Sequence, residues 1–148
     1  MYSTKQLLDE KGRDIYRVRP DAQVLEAIEI MAAHNVGALV VMDEDDRLVG
    51  LISERDYARK VILKGKASRT TPVNEIMTSK VVTVTESHSL DDCLGIMTKH
   101  SIRHLPVVDD TDVVGVLAIG DLVRAKMRDQ EHQIESLELY ISGGLHYR

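Results

Sequence analysis

The sequence predicts an α+β fold, sandwich-like in its packing, in which one β-α-β-β-α unit occurs twice. The first observation is an internal repeat, because matching residues such as Val18 and Val84 recur at a spacing of 66. The second is that apolar residues change from helical to strand periodicity in the same order in both copies. This period is too long for a solenoid repeat. It indicates two copies of one unit packed sheet to sheet.

Each copy is predicted to begin with a short strand, at residues 15–18 and 81–84, followed by an amphipathic helix. The first helix has one apolar face: Val24, Ile28 and Met31. The second helix repeats this spacing 66 residues later, and Ser89 and Asp92 are placed there as a capping box.

A β-hairpin is predicted after each of these helices. In the first copy the strands are residues 38–42 and 48–52, with an acidic turn at residues 43–46 between them. The matching segments of the second copy are residues 105–108, 109–112 and 113–119. Beyond the turn the spacing falls to 65, as between Gly50 and Gly115, so the two turns differ by one residue.

These patterns divide the chain into five segments. The repeats are predicted at residues 13–64 and 78–128, joined by a polar linker at residues 65–77. A helix at residues 1–12 precedes them, and a helix and tail at residues 129–148 follow them. Neither repeat has enough helix to cover both faces of its own sheet, so an interface between the halves is expected.

Both ends of the chain carry helix signals. Ser3 and Gln6 are spaced as a capping box, and Gly12 is a natural end for that helix. The tail continues the last helix with one apolar stripe: Ile134, Leu137 and Ile141. Gly143 is the predicted end of this helix. An exposed stripe favours the same stripe on a second subunit, which predicts a homodimer. The alternative is that the tail packs back onto its own chain.

Composition and motifs argue against several classes of protein. No apolar run approaches the roughly 20 residues that span a bilayer, and the start has no signal-peptide pattern. The single Cys93 fits a reducing compartment, so a cytoplasmic protein without membrane contact is expected. The net charge of −5 argues against nucleic acid as the main partner. Because no nucleophile–base pair, P-loop or metal-ligand spacing occurs, we expect neither an enzyme nor a metal site.

The clearest candidate site is the corner between each hairpin and the helix after it. The strings are GLISERD, with Ser53 and Asp56, and GVLAIGD, with Ala118 and Asp121. A helix that begins at Ser53 directs unpaired N–H groups towards an anion, and Ser53 could donate to a phosphate. Asp56 could hold the hydroxyls of a ribose. The alternative is a plain capping box. The second corner favours ligand binding in part. Ala118 has no hydroxyl with which to cap the helix, and yet the acid Asp121 is retained there.

The doubled unit and this corner resemble a pair of cystathionine-β-synthase (CBS) domains, a Bateman module, over about residues 13–128. The strings VGALVVMDEDDRLVGLISERD and SIRHLPVVDDTDVVGVLAIGD carry the resemblance. It implies a tandem CBS pair whose repeats are related by a pseudo-two-fold axis. It also implies a regulatory dimer that binds AMP, ADP, ATP, NAD or S-adenosylmethionine in two clefts and is read by another protein. The alternative is a non-catalytic dimeric scaffold whose clefts are vestigial.

In such a pair each cleft combines the Asp of one repeat with the entry loop and strand start of the other. The first cleft is then expected to contain Ser53, Asp56, Ile102, Arg103 and His104, with the loop near Thr83 and Thr85. The second is expected to contain Asp121, Val36, Gly37 and Ala38, with the loop near Arg17 and Arg19.

The basic residues favour the first cleft for a phosphorylated ligand. Arg103 offers a bidentate fork to phosphate oxygens, although a solvated Arg103 and a His104 that only forms the wall are alternatives. Arg55 and Lys80 are further candidates to reach a phosphate tail. The neighbouring Arg59 and Lys60 are expected on a solvated helix face. Beside these residues, Pro106 predicts that its strand lies at a sheet edge or contains a bulge.

Overall fold

The chain folds into two repeats that carry most of the predicted elements in the predicted order. The computed structural model describes the backbone of residues 2–145 and the side chains of residues 2–142. Helix α1 (Thr4–Lys11) precedes the first repeat, which contains β1 (Arg17–Val18), α2 (Val24–His34), β2 (Ala38–Met42), β3 (Leu48–Ser53) and α3 (Glu54–Tyr57). A π-helical turn, Ala58–Ile62, extends α3. Helix α4 (Val73–Ile76) precedes the second repeat, which contains α5 (Leu90–His100), β4 (His104–Asp109), β5 (Asp112–Ala118) and α6 (Ile119–Leu145).

The predicted helix starts of α1 and α5 are confirmed by their capping boxes. The Gln6 N–H donates to Ser3 Oγ at 3.2 Å, and the Ser3 N–H donates to Gln6 Oε1 at 2.8 Å. The corresponding pair, Ser89 and Asp92, exchanges two bonds of 3.0 Å. Helix α1 ends before Gly12, whose φ of 104° favours glycine.

The two hairpins form as predicted, and each has an irregularity at the same place. Strand β2 pairs antiparallel with β3, and β4 pairs antiparallel with β5. The register shifts between Val41 and Met42 in β2 and between Val107 and Val108 in β4. These shifts lie 66 residues apart, so the repeat extends to the irregularities of the strands.

Pro106 explains why the strand predicted at residues 81–84 is absent. In the first repeat β1 is parallel to β2, and the Val40 N–H donates to Tyr16 O at 3.3 Å. Pro106 occupies the place of Val40 and has no N–H. Of this predicted strand only Val84 is paired, in a parallel bridge to Val107. The prediction of an edge strand or a bulge at Pro106 is confirmed, because β4 is an edge strand of a two-stranded sheet and its register shifts one residue beyond Pro106.

Each repeat has its own hydrophobic core, and the two short helices α1 and α4 are exchanged between the cores. Leu7 and Leu8 of α1, which precedes the first repeat, lie in the core of the second repeat. Val73 and Ile76 of α4, which precedes the second repeat, lie in the core of the first. The end of the linker is therefore part of a core. In addition, all five residues of β2 are buried, which fits the predicted packing of sheet on sheet.

Equivalent backbone contacts hold the exchanged helices in place. The Thr4 N–H donates to His88 O at 2.9 Å, and the Val73 N–H donates to Ala22 O at 2.8 Å. The acceptors are 66 residues apart and the donors are 69 apart, so the repeat includes both helices with a small change in spacing.

The glycine of each corner allows an exchanged helix to approach the sheet. A Cβ on Gly115 would lie 2.7 Å from Leu8 Cδ2 of α1. A Cβ on Gly50 would overlap with Met77, which directly follows α4. A larger residue at either position would force the facing side chain of Leu8 or Met77 to shift.

The final helix is longer than predicted. Helix α6 continues through Gly143 to Leu145, so the predicted end at Gly143 is wrong. Each glycine inside a helix costs only about 1 kcal/mol relative to alanine, so Gly143 and Gly144 weaken the helix without ending it. The stripe of Ile134, Leu137 and Ile141 is exposed, with Leu137 61% exposed. Packing of this stripe back onto its own chain is therefore not what the structure contains.

Candidate functional site

The corner of the first repeat is a complete capping box that also holds a lysine. The Asp56 Oδ2 atom accepts from the Ser53 N–H at 2.9 Å and from the Ser53 hydroxyl at 3.1 Å. The Asp56 N–H donates to Ser53 Oγ at 3.2 Å, and Lys60 Nζ lies 2.9 Å from Asp56 Oδ1. The capping alternative is therefore real. Because Lys60 is 45% exposed, a hydroxyl donor could replace it at Oδ1.

The corner of the second repeat keeps half of the capping box. The Ala118 N–H donates to Asp121 Oδ2 at 2.9 Å, although Ala118 has no hydroxyl to return the bond. Lys11 and Arg124 lie 3.1 and 2.9 Å from the same carboxylate. The retained acid thus has a structural role without a serine, which weakens the argument that its retention indicates ligand binding.

A first cavity of about 310 Å³ lies between the repeats at the Ser53–Asp56 corner. Six predicted site residues line it: Ser53, Arg55, Asp56, Ile102, Arg103 and His104. The remaining lining residues were not predicted for it: Gly37, Leu51, Glu54, Arg59, Lys60, Thr78 and Ser101. The cavity therefore combines the corner of the first repeat with the strand start of the second, as expected.

A second cavity of about 390 Å³ lies at the Asp121 corner. Four predicted residues line it: Val36, Gly37, Ala38 and Asp121. The unpredicted residues include a segment before β1: Lys11, Gly12, Asp14 and Tyr16. The others are His34, Asn35, His104, Val116, Ala118 and Arg124. The Tyr16 and His34 rings stack, with centroids 4.0 Å apart.

The five remaining predicted site residues do not line either cavity. Arg17 and Arg19 lie at a separate surface depression, where Arg17 forms an ion pair with Asp46 at 2.9 Å. Thr83 and Lys80 do not contribute to the walls, and the Thr85 N–H donates to His88 Nδ1 at 3.0 Å. The structure therefore does not place these five residues in the walls of either cavity.

The exchange of α1 and α4 explains which residues were missed. Because these helices cross to the other repeat, the chain directly after them passes the clefts, at Lys11–Tyr16 and at Thr78. The loops that were predicted to enter the clefts, near Arg17–Arg19 and Thr83–Thr85, line neither cavity. The spacing of 69 between the two exchanged helices is the sequence signal that could have identified these segments.

His104 forms a wall that both cavities share. It lines each of them, and its Nε2 lies 3.3 Å from the position that a Cβ on Gly37 would occupy. Burial lowers the pKa of His104, with Asp121 acting in the opposite direction and Arg103 and Lys11 lowering it further. Because the ordinary pKa of histidine is about 6.5, His104 is neutral at neutral pH. A wall residue is favoured over a cationic phosphate ligand.

Comparison with known proteins identifies the family. The sequence profile of the CBS domain matches residues 11–63 and 73–128, one match for each repeat. The chain belongs to the CBS domain family. The pair of repeats described above is thus a tandem CBS pair, as the sequence predicted.

Curated and solved relatives agree with this membership. The CBS domain-containing protein CBSX3, mitochondrial, of Arabidopsis thaliana is 42% identical over 128 residues, which is 84% of this chain. The match covers 62% of that relative, so the CBS pair spans less than two thirds of its length. The crystal structure of the CBS-domain containing protein ATU1752 from Agrobacterium tumefaciens is 39% identical, with a TM-score of 0.80. It covers 84% of this chain and 92% of that one.

Two solved CBS proteins contain adenine-based ligands. The protein PAE2072 from Pyrobaculum aerophilum was solved in complex with AMP. It is 30% identical, with a TM-score of 0.73 over 80% of this chain and 88% of that one. The CBS domain pair of protein MJ0100 was solved with 5′-methylthioadenosine and S-adenosyl-L-methionine. It is 29% identical, with a TM-score of 0.77 over 87% of this chain and 98% of that one.

Neither a membrane-spanning helix nor a metal-binding cluster occurs among the described residues. Within residues 2–145, each helix is too short or too polar to cross a membrane. The same part of the chain contains no group of three or more His, Cys, Asp or Glu side chains placed to hold a metal ion. The cytoplasmic location stays a prediction, as do the absence of a nucleic-acid partner and of catalytic activity.

Proposed function

We propose that this CBS pair is a regulatory module that binds an adenine nucleotide in the clefts between its repeats. AMP, ADP, ATP, NAD and S-adenosylmethionine are the candidate ligands. One observation carries the proposal. Each cavity joins an aspartate at a helix start in one repeat to the strand start of the other repeat. The AMP and S-adenosylmethionine complexes of related CBS proteins support the adenine class.

The first cleft offers a contact for each part of a nucleotide. Asp56 Oδ1 is the acceptor for ribose hydroxyls once Lys60 is displaced. Arg103 is exposed and has no side-chain hydrogen bond or ion pair within residues 2–142, so its fork is available to a phosphate. Leu51 and Ile102 supply apolar surface for the base.

Regulation follows from where the ligand contacts the protein. A nucleotide held by Asp56 and Arg103 touches both repeats, and it therefore favours the relation of the repeats in which both contacts form. A protein partner that binds one relation better than the other would detect occupancy.

A non-catalytic scaffold with vestigial clefts is the second candidate. One observation favours it, because the Asp121 carboxylate already has three partners: the Ala118 N–H, Lys11 and Arg124. A ligand in the second cleft would have to compete with both cations. Ligand binding separates the two candidates, since a vestigial cleft binds no nucleotide.

The change Arg103→Ala should weaken the binding of AMP far more than that of adenosine. The reason is that a charge-assisted hydrogen bond contributes roughly 1.5–3 kcal/mol, and adenosine lacks the phosphate that would form it. Calorimetry of both ligands against wild type measures the difference. Arg69→Ala, an exposed arginine of the linker, is the control and should change neither affinity. Equal losses for both ligands would exclude Arg103 as a phosphate ligand. If wild type binds neither AMP nor adenosine, the nucleotide-binding function is excluded and the non-catalytic scaffold remains as the candidate.

A homodimer is also proposed, formed through the stripe of Ile134, Leu137 and Ile141. The change Leu137→Glu should shift the molecular mass towards monomer, because it introduces a charge where two apolar faces would meet. Light scattering at several concentrations measures the mass. Leu139→Glu provides the control, since Leu139 is also exposed on α6 but lies outside the stripe. An unchanged dimer mass for Leu137→Glu would exclude the stripe from the interface.

A further inference from the structure

Helix α6 has two apolar faces, and only one of them is covered. Leu122 and Ala125, in its first half, are buried in the core of the second repeat. From Gln130 to Ile141 every residue is exposed, so nothing in the described part of the chain covers the second half. Helices in proteins gain most of their stability by packing an apolar face. The uncovered face of α6 therefore favours a partner.

This uncovered face follows a coiled-coil repeat. Its residues, which we call the seam, are spaced alternately by four and three positions: Val123, Met127, Gln130, Ile134, Leu137 and Ile141. In a heptad, position d follows position a by three residues, and the next a follows d by four. The a positions are Met127, Ile134 and Ile141, and the d positions are Val123, Gln130 and Leu137. The five apolar residues of the seam are all exposed.

The residue types of the seam favour two parallel strands. Isoleucine at a with leucine at d is typical of parallel two-stranded coiled coils, and Ile134, Leu137 and Ile141 supply it. In a parallel pair equivalent positions meet, so the amides of the two Gln130 side chains would hydrogen-bond to each other. In an antiparallel pair a faces d, and the greatest overlap of the seams places Gln130 against Ile134. That contact buries an amide without a partner, which is unfavourable.

The side chains beside the seam favour the same orientation. The e positions hold Glu131 and Glu138, and the g positions hold Lys126 and Gln133. A parallel pair places g of one chain against e of the other, so Lys126 would face Glu131 and Gln133 would face Glu138. An antiparallel pair places e against e, where glutamates would repel one another. Lys126 also contacts Asp91 of its own chain at 2.9 Å, so in the parallel pair it would lie between two acids.

We propose that two copies of the chain pair through the seam as a parallel, in-register coiled coil, with Gln130 setting the register. This inference rests on the homodimer proposed above and deepens it, because it gives the orientation of the two subunits. The two CBS pairs would lie side by side at the same end of the coiled coil, since α6 follows the repeats in both chains.

Single cysteines at two positions of the seam test the orientation. A disulfide requires Cα atoms about 4.4–6.8 Å apart, so it identifies the residues that face each other. Residues 127 and 137 are about 15 Å apart along the helix. Met127→Cys and Leu137→Cys should therefore each form a disulfide-linked dimer on mild oxidation. A mixture should form no link between the two variants. Non-reducing electrophoresis, with a mass tag on one variant, measures both results.

The control variant is Leu139→Cys, because Leu139 is exposed at position f, on the side of the helix opposite to the seam. This variant should form no link on oxidation. Wild type should form none either, because its single cysteine, Cys93, is buried.

The change Gln130→Leu tests the residue that sets the register. It should lower the dissociation constant of the dimer about tenfold, because it replaces a buried polar group with an apolar one. Introduced into both cysteine variants, it should also allow links between residues 127 and 137, because the antiparallel pair then buries no amide. Analytical ultracentrifugation measures the dissociation constant. A constant that is unchanged or raised would overturn the role of Gln130.

The pattern of links separates the orientation from the dimer itself. Links that form only in the mixture would overturn the parallel orientation and leave the proposed homodimer intact. A link in only one of the two variants would overturn the in-register pairing. A dimer mass in light scattering without any link would overturn the inference and exclude the seam from the interface. A monomer without any link would overturn both the inference and the proposed homodimer.

Discussion

The change Asp56→Ala should abolish most of the rise in melting temperature that an adenine nucleotide produces. A ligand that binds only the folded state stabilises it by about 2.7 kcal/mol at a concentration 100 times its Kd. In the proposed site Asp56 accepts from the ribose hydroxyls, which every candidate nucleotide carries, so its loss should affect all of them. The measurement is a thermal melt with and without each ligand, and each variant is compared with its own unliganded form.

The unliganded comparison matters because Asp56 also caps α3. Loss of a capping interaction costs about 0.5–2 kcal/mol without any ligand. Asp92→Ala is the matched control, since Asp92 completes the same capping box with Ser89 at the start of α5 and lines neither cavity. It should lower the melting temperature of the free protein and keep the full response to nucleotide. A full response in Asp56→Ala, or an equal loss in Asp92→Ala, would contradict the ribose role.

The elements that the sequence predicted well are those determined by local patterns. The helices at Val24 and Leu90 begin where apolar periodicity begins. The hairpins follow from β-branched runs around acidic turns. Comparison of the two copies also identified the corner residues Ser53 and Asp121, which line different cavities. Periodicity and repeat matching are both properties of short segments, and they succeed where the neighbouring chain determines the structure.

The errors share one cause, which is that tertiary contacts are not encoded in local spacing. The strand expected at residues 81–84 is reduced to one bridge because of Pro106, which lies on a different strand. Arg17 lies at a separate depression, where it pairs with Asp46 of a hairpin turn 29 residues further along the chain. Lys11 and Thr78 enter the clefts because the helices before them cross to the opposite repeat. Each outcome depends on a partner far along the chain.

The exchange of helices leads to the largest stability effect expected for a single substitution, Leu8→Ala. Leu8 precedes the first repeat in the chain but is 0% exposed in the core of the second, over Gly115. Truncation of a buried leucine to alanine costs about 2–5 kcal/mol, since apolar contacts are lost and a cavity remains. A leucine on an undocked, solvated helix would tolerate this change, and the size of the effect therefore reports whether α1 is docked.

Urea unfolding of Leu8→Ala and of Leu139→Ala measures this cost. Leu139 is 72% exposed on α6, so its truncation should change the free energy of unfolding by less than about 0.5 kcal/mol. Because the repeats have separate cores, Leu8→Ala should also speed amide exchange in β4 and β5 more than in β2 and β3. If Leu8→Ala costs no more than Leu139→Ala, α1 is not docked on the second core in solution. Lys11 would then also leave the second cleft, because it is the last residue of α1.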